Sequence, residues 1–168
     1  MENWITKIKE TESSTDEKFK KWRDENMNLI RQFLERTCDL DDNLYLEIND
    51  SITNHESIIL AFKKKPSRFR YKEDDIYNQQ ENLKGWIVEN GGHMAFSITI
   101  MGNISAWMKL PEIEGIIKNH EEYVELGFIE QEKLNQEWVN EMAGKFFVTI
   151  LNWKQGKLFE REPIGFRK

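Results

Sequence analysis

The chain contains little cysteine and proline and has no long apolar run. One of its 168 residues is cysteine (Cys38) and three are proline. A single cysteine excludes an internal disulfide and a cysteine-based zinc cluster within one chain, and we expect a reducing compartment. No apolar stretch approaches the ~20 residues that a membrane-spanning helix needs, and residues 1–10 do not resemble a signal peptide. The sequence therefore predicts a cytoplasmic protein that does not enter a membrane.

Recognisable catalytic and metal-binding motifs are also missing. There is no phosphate-binding glycine loop, nucleophile elbow, zinc-protease helix or clustered acid pair. His93 and Ser97 are four residues apart on a predicted strand, and that spacing of ~13 Å is too long for a nucleophile–base hydrogen bond. His55, His93 and His120 have no repeated spacing. We therefore expect no cofactor and no metal, and the sequence favours a non-enzymatic protein over an enzyme.

One acidic segment has the alternating oxygen ligands with which a calcium loop begins. Asp39, Asp41 and Asn43 supply that spacing, and Asp50 stands at the twelfth position. However, Leu44 occupies the place where such a loop needs glycine, and the twelfth residue is usually glutamate. The segment is therefore better interpreted as a turn rich in Asx side chains.

Composition and length indicate one globular domain of the α+β class. The chain is 39% hydrophobic and 32% charged, and its length suits a single domain spanning residues 1–168, with 1–13 as an arm or short first helix. We expect an N-terminal helix at about 16–37, capped by Ser13, Ser14 or Thr15. An antiparallel meander sheet of five to six strands follows, and a long C-terminal helix packs on it.

The centre of the chain carries the strongest strand and turn signals. Apolar alternation predicts strands at 44–48 and 58–62, and a three-stranded meander at 86–88, 93–101 and 104–110. Its turns would be Asn90-Gly91-Gly92 and Gly102-Asn103, because these residues tolerate positive φ. If Gly102 and Asn103 form a two-residue loop, Ile98 faces Trp107 and Phe96 faces Lys109. Both sheet faces are then substantially apolar, which calls for covering helices, an enclosed cavity or a dimer interface.

Two further helices are expected after the meander. Pro111 suits the first turn of a short helix that would end at Gly127. Apolar residues at i, i+4 spacing predict a long, largely buried helix from about 130 to 153, ended by Gly156. A strand at 146–151 is the alternative for part of this segment. The i, i+4 row comprises Leu134, Trp138, Met142, Phe146 and Ile150.

A short basic stretch stands out in this acidic chain, whose formal net charge is -6. Six of the ten residues from 63 to 72 are basic, and the second half alternates, so that Phe69 and Tyr71 fall opposite the cations on any extended strand. The alternation predicts a cationic face backed by an aromatic face that anchors the strand. The basic residues are Lys63, Lys64, Lys65, Arg68, Arg70 and Lys72.

The basic stretch has three interpretations. It can be an anion site in which Arg68 and Arg70 donate paired hydrogen bonds to a nucleotide, phosphate or single strand. It can be a surface that binds an acidic protein partner. It can also be a solvated edge strand whose lysines discourage aggregation, neutralised by Glu73, Asp74 and Asp75. General nucleic-acid binding by the whole surface is disfavoured by the net negative charge.

These features lead to three functional hypotheses. The first is a non-enzymatic binding protein, of the inhibitor or immunity type, that engages an acidic partner or anionic ligand through the basic stretch. The second is a small-ligand, hydrolase or transferase pocket between the sheet and the C-terminal helix, with Arg70 holding an anionic end. The third is a homodimer formed across an apolar sheet face. The proposed pocket is lined by Trp86, His93, Phe96, Trp107 and Trp138.

Overall fold

The computed structural model describes residues 2–49, 56–70, 85–115 and 123–156 of the chain. It has the predicted α+β fold, with a helical N-terminus, a five-stranded antiparallel sheet, a three-stranded antiparallel sheet and a long C-terminal helix. The helices are α1 (Glu2–Lys21), α2 (Met27–Cys38) and α3 (Gln136–Lys154). The strands are β1 (Leu44–Asn49), β2 (Ser57–Phe62), β3 (Lys65–Arg70), β4 (Trp86–Asn90), β5 (His93–Ile98), β6 (Ile104–Lys109), β7 (Glu112–Ile113) and β8 (Val124–Ile129).

The N-terminal helical segment starts 14 residues before the helix predicted at about 16–37, and the residues expected to form an arm or short first helix are part of it. Helix α1 joins α2 through a wider π-helical turn at Trp22–Asn26, and α2 ends at Cys38 as expected. The prediction that Ser13, Ser14 or Thr15 caps the helix is wrong, because all three lie inside α1. The hydroxyl of Thr15 instead donates to the Thr11 carbonyl one turn earlier, at 2.9 Å. The Thr15 hydroxyl is thus satisfied within the helix and does not cap it.

The two sheets share one continuous hydrogen-bonding register. The five-stranded sheet has the order β1-β2-β5-β6-β8, and the three-stranded sheet has the order β3-β4-β7. The pairing of β2 with β5, which begins at Ser57↔Ser97, continues without a shift in register into the pairing of β3 with β4, as far as Pro66↔Val88. The same holds from Ile98↔Ile104 in β5 and β6 to Glu89↔Ile113 in β4 and β7. Three long strands, each interrupted once, therefore pass through both sheets.

A pair of glycines marks this interruption in the central strand. A Cβ at Gly91 would collide with the side chain of Phe62, so only glycine allows that close approach. Gly92 has φ +83°, and a Cβ there would lie 2.8 Å from the Lys109 carbonyl oxygen. The Phe62 amide donates to the Gly92 carbonyl at 3.1 Å, which carries the ladder across the break. The predicted hairpin at Asn90-Gly91-Gly92 is therefore wrong, because β4 runs on into β5.

The register predicted for the β5–β6 hairpin is also wrong, although the two strands do pair. The last strand pair is Ile98↔Ile104, and the Thr99 amide donates to the Asn103 carbonyl at 2.8 Å. The loop is thus one residue longer than predicted, and its Gly102 has φ +78°. Phe96 faces Ala106 instead of Lys109. This register places apolar residues together on one face, which a shift by an odd number of residues would prevent.

The short helix expected between Pro111 and Gly127 is wrong in the residues that are described. Glu112–Ile113 forms β7, and Gly127 lies inside β8. A Cβ at Gly127 would meet the Met142 sulfur at 2.5 Å, so glycine allows α3 to pack closely on this edge strand. Residues 116 and 117, which were to share that helix, are outside the described residues.

The C-terminal helix is present and ends where it was predicted to end, but it begins at Gln136, six residues later than expected. The alternative strand at 146–151 is not formed. The Asn135 side chain caps it by accepting from the Trp138 amide at 2.9 Å, and Gly156 follows its end with φ +70°. Its buried side chains join those of the π turn, α2 and the sheet in one core. Among the largest fully buried side chains are Trp22, Phe96, Phe146, Ile30, Leu34, Ile58 and Leu60.

Replacing Gly92 by alanine should destabilise the fold strongly. We expect Gly92→Ala to lose at least about 1 kcal/mol more unfolding free energy than Gly156→Ala, because only position 92 adds a backbone clash to the strain of positive φ. Gly156 is the matched control, since it has φ +70° and a Cβ there would have no described heavy atom within 4 Å. Urea denaturation of both variants measures the difference, and equal losses would contradict a steric role for Gly92.

Candidate functional site

The described part of the basic stretch lies at the open edge of the three-stranded sheet. Strand β1 covers the edge of β2 only up to Leu44↔Phe62, and the Lys63 amide makes the last contact by donating to the Asn43 carbonyl at 2.7 Å. Within the described ranges, β3 pairs with β4 alone. Among the described residues, Lys65–Arg70 is therefore an edge strand, as one of the three interpretations expected.

This edge is poorly suited to pairing with another strand. Pro66 lacks an amide hydrogen, and the register with β4 shifts between Pro66 and Arg70. The Ser67 hydroxyl also accepts from the Phe69 amide at 3.1 Å, so that amide is satisfied within β3. Proline, bulges and lysines are devices by which proteins protect sheet edges from aggregation. A partner at β3 would thus be recognised by side chains instead of backbone hydrogen bonds.

The two arginines of β3 are exposed, whereas Ser67 is buried and Phe69 is half-buried, as the alternation predicts. Each guanidinium lies near an aromatic ring. The Cζ atom of Arg70 is 3.9 Å from the ring centroid of Trp86, its partner residue on β4. The Cζ atom of Arg68 is 5.1 Å from the ring centroid of Phe69. Stacking on an aromatic face restricts the conformations of a guanidinium without removing its positive charge.

The lysines of the stretch are partly neutralised by neighbouring acids. Lys65 Nζ forms an ion pair with Glu89 Oε1 at 3.1 Å across β3 and β4. Hydrogen bonds from Asn43 lower the pKa of Asp41, and the positive charges of Lys154 and Lys63 lower it further. Lys64 is exposed, and no salt bridge among the described residues includes it. Arg68 and Arg70 are exposed cations of the same edge.

Some of the predicted site lies outside the described residues. This applies to Lys72 and Tyr71 and to the neutralising acids expected at Glu73, Asp74 and Asp75. The described cations form the basic edge, which comprises Lys63, Lys64, Lys65, Arg68 and Arg70.

The five residues of the proposed pocket are divided among three places. Phe96 is fully buried in the core, where Trp138 of α3 packs on it with ring centroids 5.7 Å apart. His93 and Trp107 contact each other at 5.6 Å on the opposite face of the same sheet. Trp86 lies in the other sheet beneath Arg70. The structure thus does not bring the five residues together, and Trp86 lies at the basic edge.

His93 and Trp107 belong to a polar and aromatic layer on the outer sheet face. Trp107 Nε1 donates to Ser97 Oγ at 3.2 Å, and the ring of Tyr123 stands perpendicular to that of Trp107 at 4.8 Å. Burial lowers the pKa of His93, and the charge of Lys109 lowers it further against the opposing charges of Glu47 and Glu112. Neutral His93 packed on Trp107 is therefore the stable form near neutral pH.

Sequence reasoning missed a buried polar cluster at the π turn. Asn26 Nδ2 donates to Gln131 Oε1 at 2.8 Å, and Gln131 Nε2 donates to the carbonyls of Lys18 and Gly102 at 2.9 and 2.6 Å. Both amide side chains are buried. These bonds tie the N-terminal helical segment to the β5–β6 loop. One signal for this cluster was present in the sequence. Asn26 is a polar residue at the position between Trp22 and Ile30 in an apolar row that continues to Leu34 at spacings of four.

The acidic turn forms an Asx turn in the part that is described. Asp41 Oδ1 accepts from the backbone amide and the side-chain amide of Asn43, each at 2.8 Å. Asp50 lies outside the described residues, as do His55 and His120. In the described ranges, no group of three His, Cys, Asp or Glu side chains is arranged to hold a metal ion. Burial and the nearby carboxylates raise the pKa of Cys38, which disfavours a thiolate.

Comparison with known proteins gives no relative from which a function could be transferred. The chain matches no protein-family model, no curated protein and no solved structure. None of the helices in the described ranges combines the length and apolarity needed to cross a membrane. Inference about function therefore rests on the geometry of the basic edge.

Protonation of His93 should reduce stability under mildly acidic conditions. Because the folded-state pKa lies below the ordinary 6.5, the unfolded chain binds the proton more readily. The contribution of neutral His93 is complete above about pH 6.5 and is lost as the pH falls toward the folded-state pKa. Urea denaturation at several pH values should show a shallower loss of stability below about pH 6.5 for His93→Gln than for the native chain. Parallel curves would contradict this assignment.

Proposed function

We propose that the protein is a non-enzymatic binding protein that recognises an acidic protein partner through the basic edge. The observation that carries the proposal is the pair of exposed arginines on β3, each beside an aromatic ring. Arginines held in this way lose less conformational freedom when they bind carboxylates in bidentate geometry. A protein of this kind would act as an inhibitor or immunity-type protein by covering an acidic surface of its partner.

The shape of the site supports a macromolecular partner over a small anion. The described cations follow an exposed edge from Lys63 to Arg70, and five of these eight residues are exposed cations. Such a row spans ~25 Å along a strand, which suits several carboxylates spread over a surface. Since Pro66 and the bulge hinder strand addition, the carboxylates of the partner would meet side chains directly. An anionic small ligand is the alternative occupant of the same arginines.

A charge reversal at the arginines tests this function with poly-L-glutamate as an acidic polypeptide probe. At about 100 mM ionic strength, where the Debye length is about 10 Å, the native chain should bind the probe despite its net charge of -6. Arg68→Glu/Arg70→Glu should weaken that affinity at least about tenfold, with little change in melting temperature. Fluorescence anisotropy of labelled poly-L-glutamate measures the affinity.

The matched control is Lys20→Glu/Arg36→Glu, which makes the same change in net charge at two exposed helical positions. It should bind the probe within about twofold of the native chain, because distant exposed charges are screened. Equal weakening by both variants, or no binding by the native chain, would refute the basic edge as the binding surface. Binding of inorganic tripolyphosphate without binding of poly-L-glutamate would select the small-anion alternative.

The aromatic platform gives an independent prediction. Replacing Trp86 by leucine retains an apolar side chain on β4 but removes the ring 3.9 Å from Arg70. A cation–π contact of about 1 kcal/mol corresponds to about a fivefold loss of poly-L-glutamate affinity. Trp4→Leu is the control, because Trp4 is on α1 and 70% exposed. Identical affinities of the two variants would show that Trp86 does not position Arg70 for binding.

A further inference from the structure

The edges of the two sheets differ in how well they are protected against pairing with another strand. Among the described residues, β1 and β8 lie at the edges of the five-stranded sheet, and β3 and β7 at those of the three-stranded sheet. Strand β3 carries Pro66 and a shift in register, β8 carries Gly127 and a shift in register, and β7 has two residues. Strand β1 pairs with β2 over six consecutive residues without a shift, and its sequence contains no lysine, proline or glycine. Of these four edges, β1 is therefore the one best suited to strand pairing.

The peptide groups of every second residue in β1 point toward this open edge. The Lys63 amide donates to the Asn43 carbonyl, so these two residues form a hydrogen-bonded pair. In an antiparallel ladder, hydrogen-bonded pairs alternate with pairs that are not hydrogen-bonded. The register with β2 then turns the peptide groups of the odd-numbered residues toward β2. The peptide groups of Leu44, Leu46 and Ile48 are turned outward.

The outward groups of β1 specify what kind of partner fits this edge. The Leu44 amide donates to the Asp41 carbonyl at 2.9 Å, so it already has a partner. The remaining outward groups are the amides of Leu46 and Ile48 and the carbonyls of all three residues. Within the described ranges, β1 pairs with β2 alone. Alternating donors and acceptors of this kind are matched by an added extended strand.

The side chains of β1 favour a second copy of this chain as the added strand. Leu44 is buried in the core, Leu46 packs against it, and Ile48 lies on the same face with 41% of its surface exposed. Tyr45 and Glu47 are exposed on the opposite face. A register that pairs even-numbered with even-numbered residues continues both faces of the sheet across the contact.

The charge of Glu47 selects one register for this pairing. Two antiparallel β1 strands centred on Glu47 would set two carboxylates directly opposite each other, which is destabilising. A pair centred on Tyr45 would leave Ile48 beyond the end of the other β1. Centring on Leu46 sets Leu46 opposite Leu46 of the second copy, Leu44 opposite Ile48 of the second copy and Tyr45 opposite Glu47 of the second copy. Apolar residues then meet on the core face, and no like charges are opposed within β1.

We propose that two copies of this chain associate by antiparallel pairing of their β1 strands, with the two-fold axis at Leu46. The Leu46 amide of each copy donates to the Leu46 carbonyl of the other, and the Ile48 amide of each copy donates to the Leu44 carbonyl of the other. The two five-stranded sheets thereby become one continuous sheet. The association uses β1 and not the basic edge, so it does not depend on the proposed function.

The length of the paired edge sets the concentration at which the dimer forms. The six residues of β1 span ~20 Å, and a contact of this size belongs to the small class of interfaces that is typical of transient complexes. Sedimentation velocity of the full chain should therefore show a monomer–dimer equilibrium at about 10–500 μM. A native chain that stays monomeric throughout this range would overturn the proposal.

Removal of one outward amide tests the hydrogen-bonding pattern. Ile48→Pro deletes an amide that points away from β2, so the pairing of β1 with β2 keeps its hydrogen bonds. The variant should raise the dimer dissociation constant at least about tenfold, because each copy loses a bond to the other. Far-UV circular dichroism should show that the variant is folded. A dimer that persists in folded Ile48→Pro would overturn the proposal.

The matched control is Ile100→Pro, which replaces the same residue type at an exposed turn. Ile100 is 79% exposed and follows Thr99, whose carbonyl accepts from the Gly102 amide at 2.8 Å. Proline is favoured at this second position of a turn. The control should dimerise like the native chain, and a loss of dimer equal to that in Ile48→Pro would overturn the assignment to β1.

Disulfide formation tests the register without any change to the backbone. Tyr45→Cys and Glu47→Cys, each in a Cys38→Ser background, are mixed in a glutathione redox buffer. The proposed register sets residue 45 of one copy directly opposite residue 47 of the other, with Cα atoms ~4.5 Å apart, whereas identical positions are diagonal neighbours at ~7–8 Å. Only the first distance suits a disulfide.

The mixed disulfide should therefore exceed each of the two homodimeric disulfides at least about fivefold, against about twofold for random pairing. Intact-mass spectrometry resolves the three products by their different masses. Random proportions, or an excess of either homodimeric disulfide, would overturn the proposed register.

Discussion

The glycine pair at positions 91 and 92 determines where the candidate binding surface can form. Phe62 and the Lys109 carbonyl approach these glycines so closely that side chains are excluded there. The three central strands keep their register across this point but continue as a separate sheet. The pairing between β1 and β2 stops at Leu44↔Phe62, just before the break. Because β1 does not follow β2 into the second sheet, β3 is left as an edge, and the arginines it carries face outward.

Position at an edge would normally expose backbone groups to unwanted strand pairing. In β3 the backbone is irregular, since Pro66 has no amide hydrogen and Ser67 satisfies the amide of Phe69. The cations of this strand are consistent with two roles, protection of the edge and recognition of an anion. Lysine side chains alone would be enough to protect the edge from unwanted strand pairing. The placement of Arg70 over Trp86 adds a positioned guanidinium, which recognition needs and protection does not.

The sequence predicted the helices and strands better than it predicted which of them pair across long stretches of chain. The basic strand, the apolar strand before it and the C-terminal helix follow from local periodicity, and each is present. The β5–β6 register was misjudged because turn chemistry at Gly102 and Asn103 was given more weight than hydrophobic sorting. Sorting pairs apolar residues with apolar residues, as in the observed Phe96↔Ala106 and Ile98↔Ile104. The predicted register could therefore have been excluded from the sequence, although sorting does not distinguish registers that differ by two residues.

Other features could not be obtained from local pattern. Whether Gly91 and Gly92 turn the chain back or interrupt a strand depends on Phe62 and Lys109, which are distant in sequence. The pocket hypothesis placed Trp86 and Arg70 in one site, but it also included residues of the other sheet, because the pairing of Arg70 with Trp86 on neighbouring strands is not visible in local pattern. The start of α1 was placed too late because its exposed turns lack the apolar density of a packed helix. Contacts between distant segments decide each of these cases.

The nature of the force at the basic edge limits how tightly this edge can act. It presents a few cations at an exposed strand, where single ion pairs contribute little and salt screens them. The affinity of such an edge therefore depends on how many carboxylates a partner presents at once. It also depends on the ring of Trp86, because a guanidinium that is already held in place loses less conformational freedom on binding.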